Sequence, residues 1–300
     1  MSRLHTLRAQ FAHALAAFGK SPSSTFQVLH TVPPSSRPAA VQTLYVLDSS
    51  FNPPSRAHLQ MAVSALSQAP AAPSRLLLLL ATHNADKAPR PAAFEDRLVM
   101  MALLAEDVRN VLSLASPSSS FTAAAAEDPA LPAVDIGVTT HPYFVDKARD
   151  IGRAPWYRDA GGTNPAPPTQ VHLVGYDTLV RILDPRYYPP THSLAVLDGF
   201  LGGGAHRLRV TARTDDAWGD RAAQEEFVRG IGEGALEAHG GRREWASQIE
   251  LVDGHRDDEP VVSSTLARDA AKRGSPGDLA RYVTERVGRW IEEERLYRDE

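Results

Sequence analysis

Residues 43–59 read Thr-Leu-Tyr-Val-Leu-Asp-Ser-Ser-Phe-Asn-Pro-Pro-Ser-Arg-Ala-His-Leu, and few backbone paths accept that order. An apolar run from Thr43 to Leu47 has the length of a buried strand. Ser49 and Ser50 follow as a small-residue turn, and Pro53 and Pro54 cannot extend a sheet ladder. The chain then opens a helix with His58 close to its start. This places an imidazole and several unpaired backbone N–H groups at the carboxyl end of a strand. Helix N-termini combine free donors with the positive end of the macrodipole, so the place suits an anionic phosphate.

The pattern repeats downstream. A helix is predicted from about Ala57 to Gln68, stopped by Pro70 and Pro73, and a second apolar strand from Arg75 to Ala81. Phe94, Leu98, Met101 and Leu104 give helical spacing to residues 93–106. Strands that are apolar throughout and alternate with helices imply a parallel sheet covered on both faces. Val171 to Val174 lead into a third strand-to-helix turn at Gly175-Tyr176-Asp177. Further strands are expected at 208–213 and 249–252, and helices at 264–273 and 278–296 with a break at Gly274–Gly277. The fold class is therefore α/β, a Rossmann-like doubly wound parallel sheet with a helical C-terminal part. Residues 1–42 read as an N-terminal helix and connector, with at most a short strand near 26–29, and residues 43–300 as the main domain. Three stretches, 116–130, 154–169 and 201–206, are poor in apolar residues and read as flexible insertions. No helix opens after Gly202-Gly203-Gly204, so that run is not a phosphate cradle.

Composition removes several classes of function. The 300 residues carry a net charge of −4, so no global basic field recruits nucleic acid. With no cysteine, disulfides and thiolate zinc sites are excluded. The histidines show no metal-binding helix spacing, and no apolar run reaches membrane-spanning length. No acidic residue precedes Asp48, while Arg3, Arg8, Lys20 and Arg37 do, as in a transit peptide. Leu4, Leu7, Phe11, Leu15 and Phe18, however, share one helical face, the pattern of a packed helix. A cytoplasmic or nuclear protein is expected, with the mitochondrion as the alternative.

Ligands of doubly wound sheets bind beyond the carboxyl ends of the strands, where the strand order reverses. Residues 49–58, 82–87, 175–177 and 262–268 can converge there. Ser263, Ser264 and Thr265 begin a helix, which they can cap while leaving N–H groups for phosphate oxygens. Arg268 lies one turn on and can fork onto the same anion. Each residue has a plainer reading. His58 could be a helix-start histidine, Arg268 and Lys87 solvated cations, Asp177 a helix cap, and Tyr187 and Tyr188 packing residues.

Taken together, Ser49-Ser50-Phe51-Asn52-Pro53-Pro54-Ser55-Arg56-Ala57-His58 and Val262-Ser263-Ser264-Thr265-Leu266-Ala267-Arg268 resemble the two end motifs of a known family. It is the nicotinamide/nicotinate mononucleotide adenylyltransferases of the cytidylyltransferase-like superfamily. Allowing one residue of slack, Asn84, Lys87 and Arg97 match the family's Asn-x-x-x-Lys and downstream Arg, and Gly175-Tyr176-Asp177-Thr178-Leu179 resembles its Gly-x-Asp-Leu-Leu. The tail from Trp290 to Tyr297 is similar to the family's closing helix. The resemblance implies direct transfer of AMP from ATP to a pyridine mononucleotide, with Mg2+ carried by the ATP phosphates and no metal held by the protein.

In that reading Ser49, Ser50, Phe51, Ser55, His58, Gly175, Asp177, Ser263, Ser264, Thr265 and Arg268 bind ATP. His58 donates to the phosphate oxygens and Arg268 neutralises them. Lys87 reaches the ATP phosphates or the acceptor phosphate. Asn84, Lys87, Arg97, Asp177 and Tyr188 form the acceptor side. A homo-oligomer is compatible with the family. The chain departs from the pattern at Ser49, Ala57 and Ser55. It also reads Val134-Asp135-Ile136-Gly137 where relatives carry a Trp, so Tyr187 or Tyr188 is expected to supply the aromatic face. Another acceptor, or an ATP-binding or ATP-hydrolysing protein that has diverged from transfer, are the alternatives.

Overall fold

The computed structural model describes residues 2–21, 23–36, 41–69, 73–82, 92–115, 131–158, 166–213, 218–254 and 262–298. The elements run α1 (Arg3–Lys20), β1 (Phe26–Val32), β2 (Thr43–Asp48), α2 (Arg56–Ser67), β3 (Ser74–Ala81), α3 (Phe94–Ala115), β4 (Ala133–Thr139), α4 (Phe144–Arg153) and α5 (Pro155–Arg158). They continue β5 (Thr169–Gly175), α6 (Tyr176–Ile182), α7 (Asp198–Leu201), β6 (His206–Thr211), α8 (Arg221–Glu233), β7 (Ile249–Val252), α9 (Ser264–Lys272), α10 (Pro276–Tyr282) and α11 (Glu285–Glu293).

Seven strands form one sheet in the order β1-β4-β3-β2-β5-β6-β7. All neighbours are parallel except the edge pair β1–β4. The chain builds outward from β2 through β3 to β4, then restarts at β5 on the other side of β2. The strand order therefore reverses between β2 and β5, which puts the crevice for a ligand above that junction.

Side-chain alternation separates the two covering layers. Tyr45 and Leu47 of β2, with Leu76, Leu78 and Leu80 of β3, face a core shared with α1, α2, α3 and α9–α11. Leu44, Val46, Leu77 and Leu79 face the opposite way, toward Ile151 of α4 and Tyr157 of α5. Val174, Leu208 and Val210 face a third cluster with Phe200 and Trp245. Among the described residues no helix is long and apolar enough to cross a membrane.

Several elements differ from the sequence reading. The packed face of α1 is as expected, with Leu7, Phe11 and Phe18 buried. The strand after it is longer than four residues and pairs along β4 as far as Val32. Strand β4 itself was not foreseen, because Asp135 interrupts its apolar pattern. That carboxylate is fully buried and accepts from Arg75 Nη2 (2.6 Å) and Nε (2.9 Å), Thr31 Oγ1 (2.7 Å) and the Tyr157 hydroxyl (3.1 Å). The stretch 154–169, read as a flexible insertion, thus includes α5 and the buried Tyr157. Helix α3 runs on to Ala115 because its apolar positions continue through Val108 and Leu112. The single closing helix expected over 278–296 is two, since Val283 and Thr284 are extended and Thr284 begins the second. Residues 116–130 lie outside the described residues.

Candidate nucleotide site

The turn from Ser49 to Ser55 leaves the carboxyl end of β2 with its core face closed. Phe51 is fully buried and takes a left-handed backbone with φ of 45°. That conformation costs a non-glycine residue about 1–2 kcal/mol, and such strain clusters where a turn must hold one shape. Ser50 is exposed.

His58 sits in the first turn of α2 and folds back on the turn that precedes it. Its Nδ1 accepts from the Ser55 backbone N–H at 2.9 Å and lies 2.9 Å from Ser55 Oγ. Ser55 is the N-cap, so this is a capping exchange with an imidazole in the place usually taken by a carboxylate or amide. An Nδ1 that accepts fixes the proton on Nε2, which lies 2.9 Å from Ser49 Oγ. The Phe51 ring packs on the imidazole with centroids 5.2 Å apart. Burial pushes the His58 imidazole down to about 4, so the ring is neutral at pH 7 and presents an N–H donor.

The second end motif closes on the same turn. Ser263 caps α9, accepting from the Leu266 N–H at 3.2 Å, so the N–H groups of Ser264 and Thr265 have no carbonyl within the helix to bond. Ser264 Oγ donates to the Pro53 carbonyl at 2.8 Å. Arg268 donates to the Asn52 carbonyl at 2.7 Å and to Thr265 Oγ1 at 3.1 Å. Tyr297 adds a third tie, its hydroxyl donating to Asn52 Oδ1 at 3.0 Å. His58 and Arg268 therefore both bear on the Ser49–Ser55 turn, His58 through Ser49 and Ser55 and Arg268 through Asn52.

Behind this turn lies Arg97, buried, with its Nε donating to the Ala92 carbonyl at 2.9 Å and its guanidinium 5.0 Å from the Phe94 ring centre. Burial lowers its pKa, Tyr297 acts against that, and the charge of Arg268 lowers it further, which places the two arginines in each other's field. Asn84 and Lys87 lie outside the described residues.

The third strand-to-helix turn flanks the crevice from β5. Gly175 begins α6, and a Cβ on it would stand 2.6 Å from Asp177 Oδ1, so only glycine lets that carboxylate fold back. Gly175, not Asp177, holds the N-cap position of α6, and Asp177 lies in its first turn. Asp177 accepts from Arg181 Nη2 at 2.7 Å and lies 3.4 Å from Arg213 Nε. Tyr188 is half-buried, and its hydroxyl donates to the Ile182 carbonyl at 2.7 Å. Burial raises the Tyr188 pKa, so the group stays neutral.

Two residues here escaped the sequence reading. Tyr143, just before α4, brings its ring to 5.9 Å from that of Tyr188 at 41°. The two form an aromatic pair, one ring from the segment between β4 and α4 and the other from the turn after α6. Lys147, on α4, forms a buried ion pair with Asp48 at the end of β2. The Tyr-Phe pair at 143–144 beside a Thr-Thr-His-Pro run was the one local cue to the first; nothing local marks the second.

No protein-family model matches the chain. It is similar to a Schizosaccharomyces pombe protein named "Putative nicotinamide mononucleotide adenylyltransferase", with 31% identity over 278 residues that cover 93% of each chain. Among solved structures it is similar to Plasmodium falciparum nicotinic acid mononucleotide adenylyltransferase complexed with NaAD, at 12% identity and a TM-score of 0.49, covering 85% of this chain and 97% of that one. It is also similar to a Vibrio parahaemolyticus structure described as "a Putative Nicotinate-nucleotide Adenylyltransferase", at 13% identity and a TM-score of 0.44, covering 87% of this chain and 98% of that one.

Proposed function

Because the chain belongs to the nicotinamide mononucleotide adenylyltransferase family, we propose that it transfers AMP from ATP to a nicotinamide or nicotinate mononucleotide. The products are NAD, or its acid form, and pyrophosphate. An oxygen of the acceptor's 5′-phosphate attacks the α-phosphorus of ATP, the bond to the β-bridging oxygen breaks, and pyrophosphate leaves with that electron pair. No covalent enzyme intermediate is required, so the protein's task is positioning and charge stabilisation.

The residues divide along the crevice. His58 donates through Nε2 to an α- or β-phosphate oxygen, releasing Ser49 Oγ. The unpaired N–H groups of Ser264 and Thr265 hold the β- and γ-phosphates at the start of α9. Arg268 neutralises the same oxygens, and Ser55 keeps the imidazole in its donor tautomer. Ser50 and Phe51 shape the turn, and Gly175 and Asp177 face the ribose or the pyridine carboxamide. Arg97 supports the acceptor side from behind, and Asn84 and Lys87 are assigned there by the family motif. Tyr188, with Tyr143, offers an aromatic face to the pyridine ring.

Magnesium enters in this reading as the ATP complex and neutralises charge on the departing pyrophosphate. In this reading the phosphates are its ligands. The catalytic domain is assigned to residues 43–300, with 1–42 built onto it through β1.

The observation that carries this reading is the meeting of His58 and Arg268 on the Asn52–Ser55 turn. Purified protein with ATP, magnesium and each pyridine mononucleotide, read by coupled NAD formation and by pyrophosphate release, tests it. Pyridine dinucleotide formation is expected. Phosphate release from ATP without dinucleotide, for either acceptor, overturns it.

A further inference from the structure

Asp48 and Ser49 are consecutive residues on the top edge of the sheet, and alternation sends their side chains to opposite faces. Ser49 meets His58 on the α2 side. Asp48 meets Lys147 of α4 on the other, and both side chains are nearly out of solvent, 8% and 6% exposed. The Lys147 ammonium also lies 5.3 Å from the Phe144 ring centre, against the ring's negative face.

A second buried pair, Arg75 with Asp135, shows what a purely architectural solution looks like. That carboxylate accepts from Thr31 and Tyr157 as well as from Arg75, so its lone pairs are filled from within the core. Among the described residues Asp48 shows no such cage: Lys147 is its ion-pair partner, and the pair adjoins the turn assigned to the triphosphate. Buried ion pairs are commonly replaceable by apolar residues without loss of stability. Stability alone is therefore a weak reason to keep a carboxylate one residue from a polyanion site.

We propose that Lys147 is a charge-compensating positioning residue, which cancels the Asp48 carboxylate so that a triphosphate can occupy the Ser49–Ser55 turn. The inference rests on the reading of that turn as the ATP site. Without Lys147, the Asp48 carboxylate stands uncancelled one residue from the turn that takes the phosphates, a like charge in a partly desolvated place, where repulsion is far stronger than in bulk water. With both charges gone, the repulsion vanishes. The pair also fastens α4, and with it Tyr143, to the phosphate turn.

The test is the affinity for magnesium ATP, measured calorimetrically at low and high salt, with unfolding midpoints to establish that each variant is folded. Lys147→Met is expected to weaken ATP binding by about tenfold or more. Asp48→Asn, which leaves the Lys147 charge uncancelled, is expected to strengthen the affinity by up to about tenfold. The double variant should return to within about threefold of wild type, given the scatter of coupled pairs. Salt should narrow these differences, and Lys147→Arg, which keeps the charge, should bind like wild type. Opposite signs for the two single variants are the signature, since loss of a structural pair moves both in one direction. Equal weakening in Asp48→Asn and Lys147→Met, or no change in either, overturns the proposal. If His58→Ala weakens ATP binding while Lys147→Met does not, the site reading stands and this inference alone falls. If the folded wild-type protein binds no ATP, both fall together.

Discussion

The Arg268 guanidinium donates to the Asn52 carbonyl at 2.7 Å across 216 residues of chain. This one contact joins the first motif to the last and holds a cation at the rim of the β2 turn. The same guanidinium keeps further donors for phosphate, because arginine carries five N–H groups in a fixed fork.

Arg268→Met is therefore expected to raise KM for ATP about tenfold or more, since a charge-assisted contact contributes about 1.5–3 kcal/mol. Arg268→Lys should recover only part of that, a lysine having no fork to share between Asn52 and a phosphate. Initial-rate kinetics with ATP varied at saturating acceptor make the measurement. Equal KM values for wild type and Arg268→Met would remove Arg268 from the site.

His58→Ala removes a neutral N–H donor already aimed from α2. Loss of one preorganised donor to a developing negative charge typically lowers kcat by about 10²–10³. The protein should remain folded, so circular dichroism stays native while single-turnover transfer collapses. Transfer at the wild-type rate would show that the imidazole only caps α2.

The same imidazole sets a pH dependence of stability. Its folded pKa is about 4, below the ordinary histidine value of 6.5, because burial disfavours the charged ring. Between those values the unfolded chain binds a proton that the folded one does not. The stability that His58 contributes is therefore complete above pH 6.5 and is lost progressively as pH falls toward 4. Urea unfolding from pH 7 to pH 4 should show a shallower decline in His58→Asn than in wild type, with one fewer proton taken up on unfolding. Parallel curves would place the protonation elsewhere, His172 being buried with a pKa lowered in the same direction.

The parts of this site that were legible in the sequence are those whose geometry is local. Two prolines after a strand and three consecutive hydroxyl residues at a helix start each dictate their own backbone. Ser55 and Ser263 could be placed for that reason. The parts that were not legible depend on partners distant in sequence. Asp135 is a carboxylate in an otherwise apolar run, and the groups that fill its lone pairs, Arg75 and Tyr157, lie 60 and 22 residues away. Lys147 and Asp48 are separated by 99 residues and by two intervening strands in chain order. Asp177 reads locally as a helix cap or a ligand-binding group, and its contacts to Arg181 and to Arg213, 36 residues on, are visible only in the folded chain.

Tyr143 and Tyr188 test whether the aromatic face of the family has moved rather than disappeared. Tyr188 bonds a carbonyl through its hydroxyl, so Tyr188→Phe loses a hydrogen bond, whereas Tyr188→Ala also loses the ring. A stacked ring contributes about 0.5–1.5 kcal/mol beyond burial. Tyr143→Ala and Tyr188→Ala should therefore raise KM for the pyridine acceptor by about threefold to tenfold, with little change in KM for ATP. Both phenylalanine variants should stay close to wild type for the acceptor. A rise in KM for ATP alone would instead tie the pair to the adenosine side.

Asp135 offers a prediction about stability that leaves the chemistry untouched. Its carboxylate is fully buried and its nearest cation, Arg75, is itself only 5% exposed, so neither can turn to solvent when the other is removed. Asp135→Asn keeps the shape and the acceptor oxygen for Thr31 or Tyr157, but it strands a buried guanidinium. Breaking a buried pair by removing one partner costs about 3–5 kcal/mol. Replacing Arg75 and Asp135 together by Met and Leu should cost much less than either single change, because no uncompensated charge remains. The pair lies toward the amino end of β3, away from the carboxyl-end crevice, so KM values of whatever folded protein remains should match wild type. Chemical denaturation of the two single variants and the double variant gives the coupling directly. Additive losses would mean that the two charges do not compensate each other.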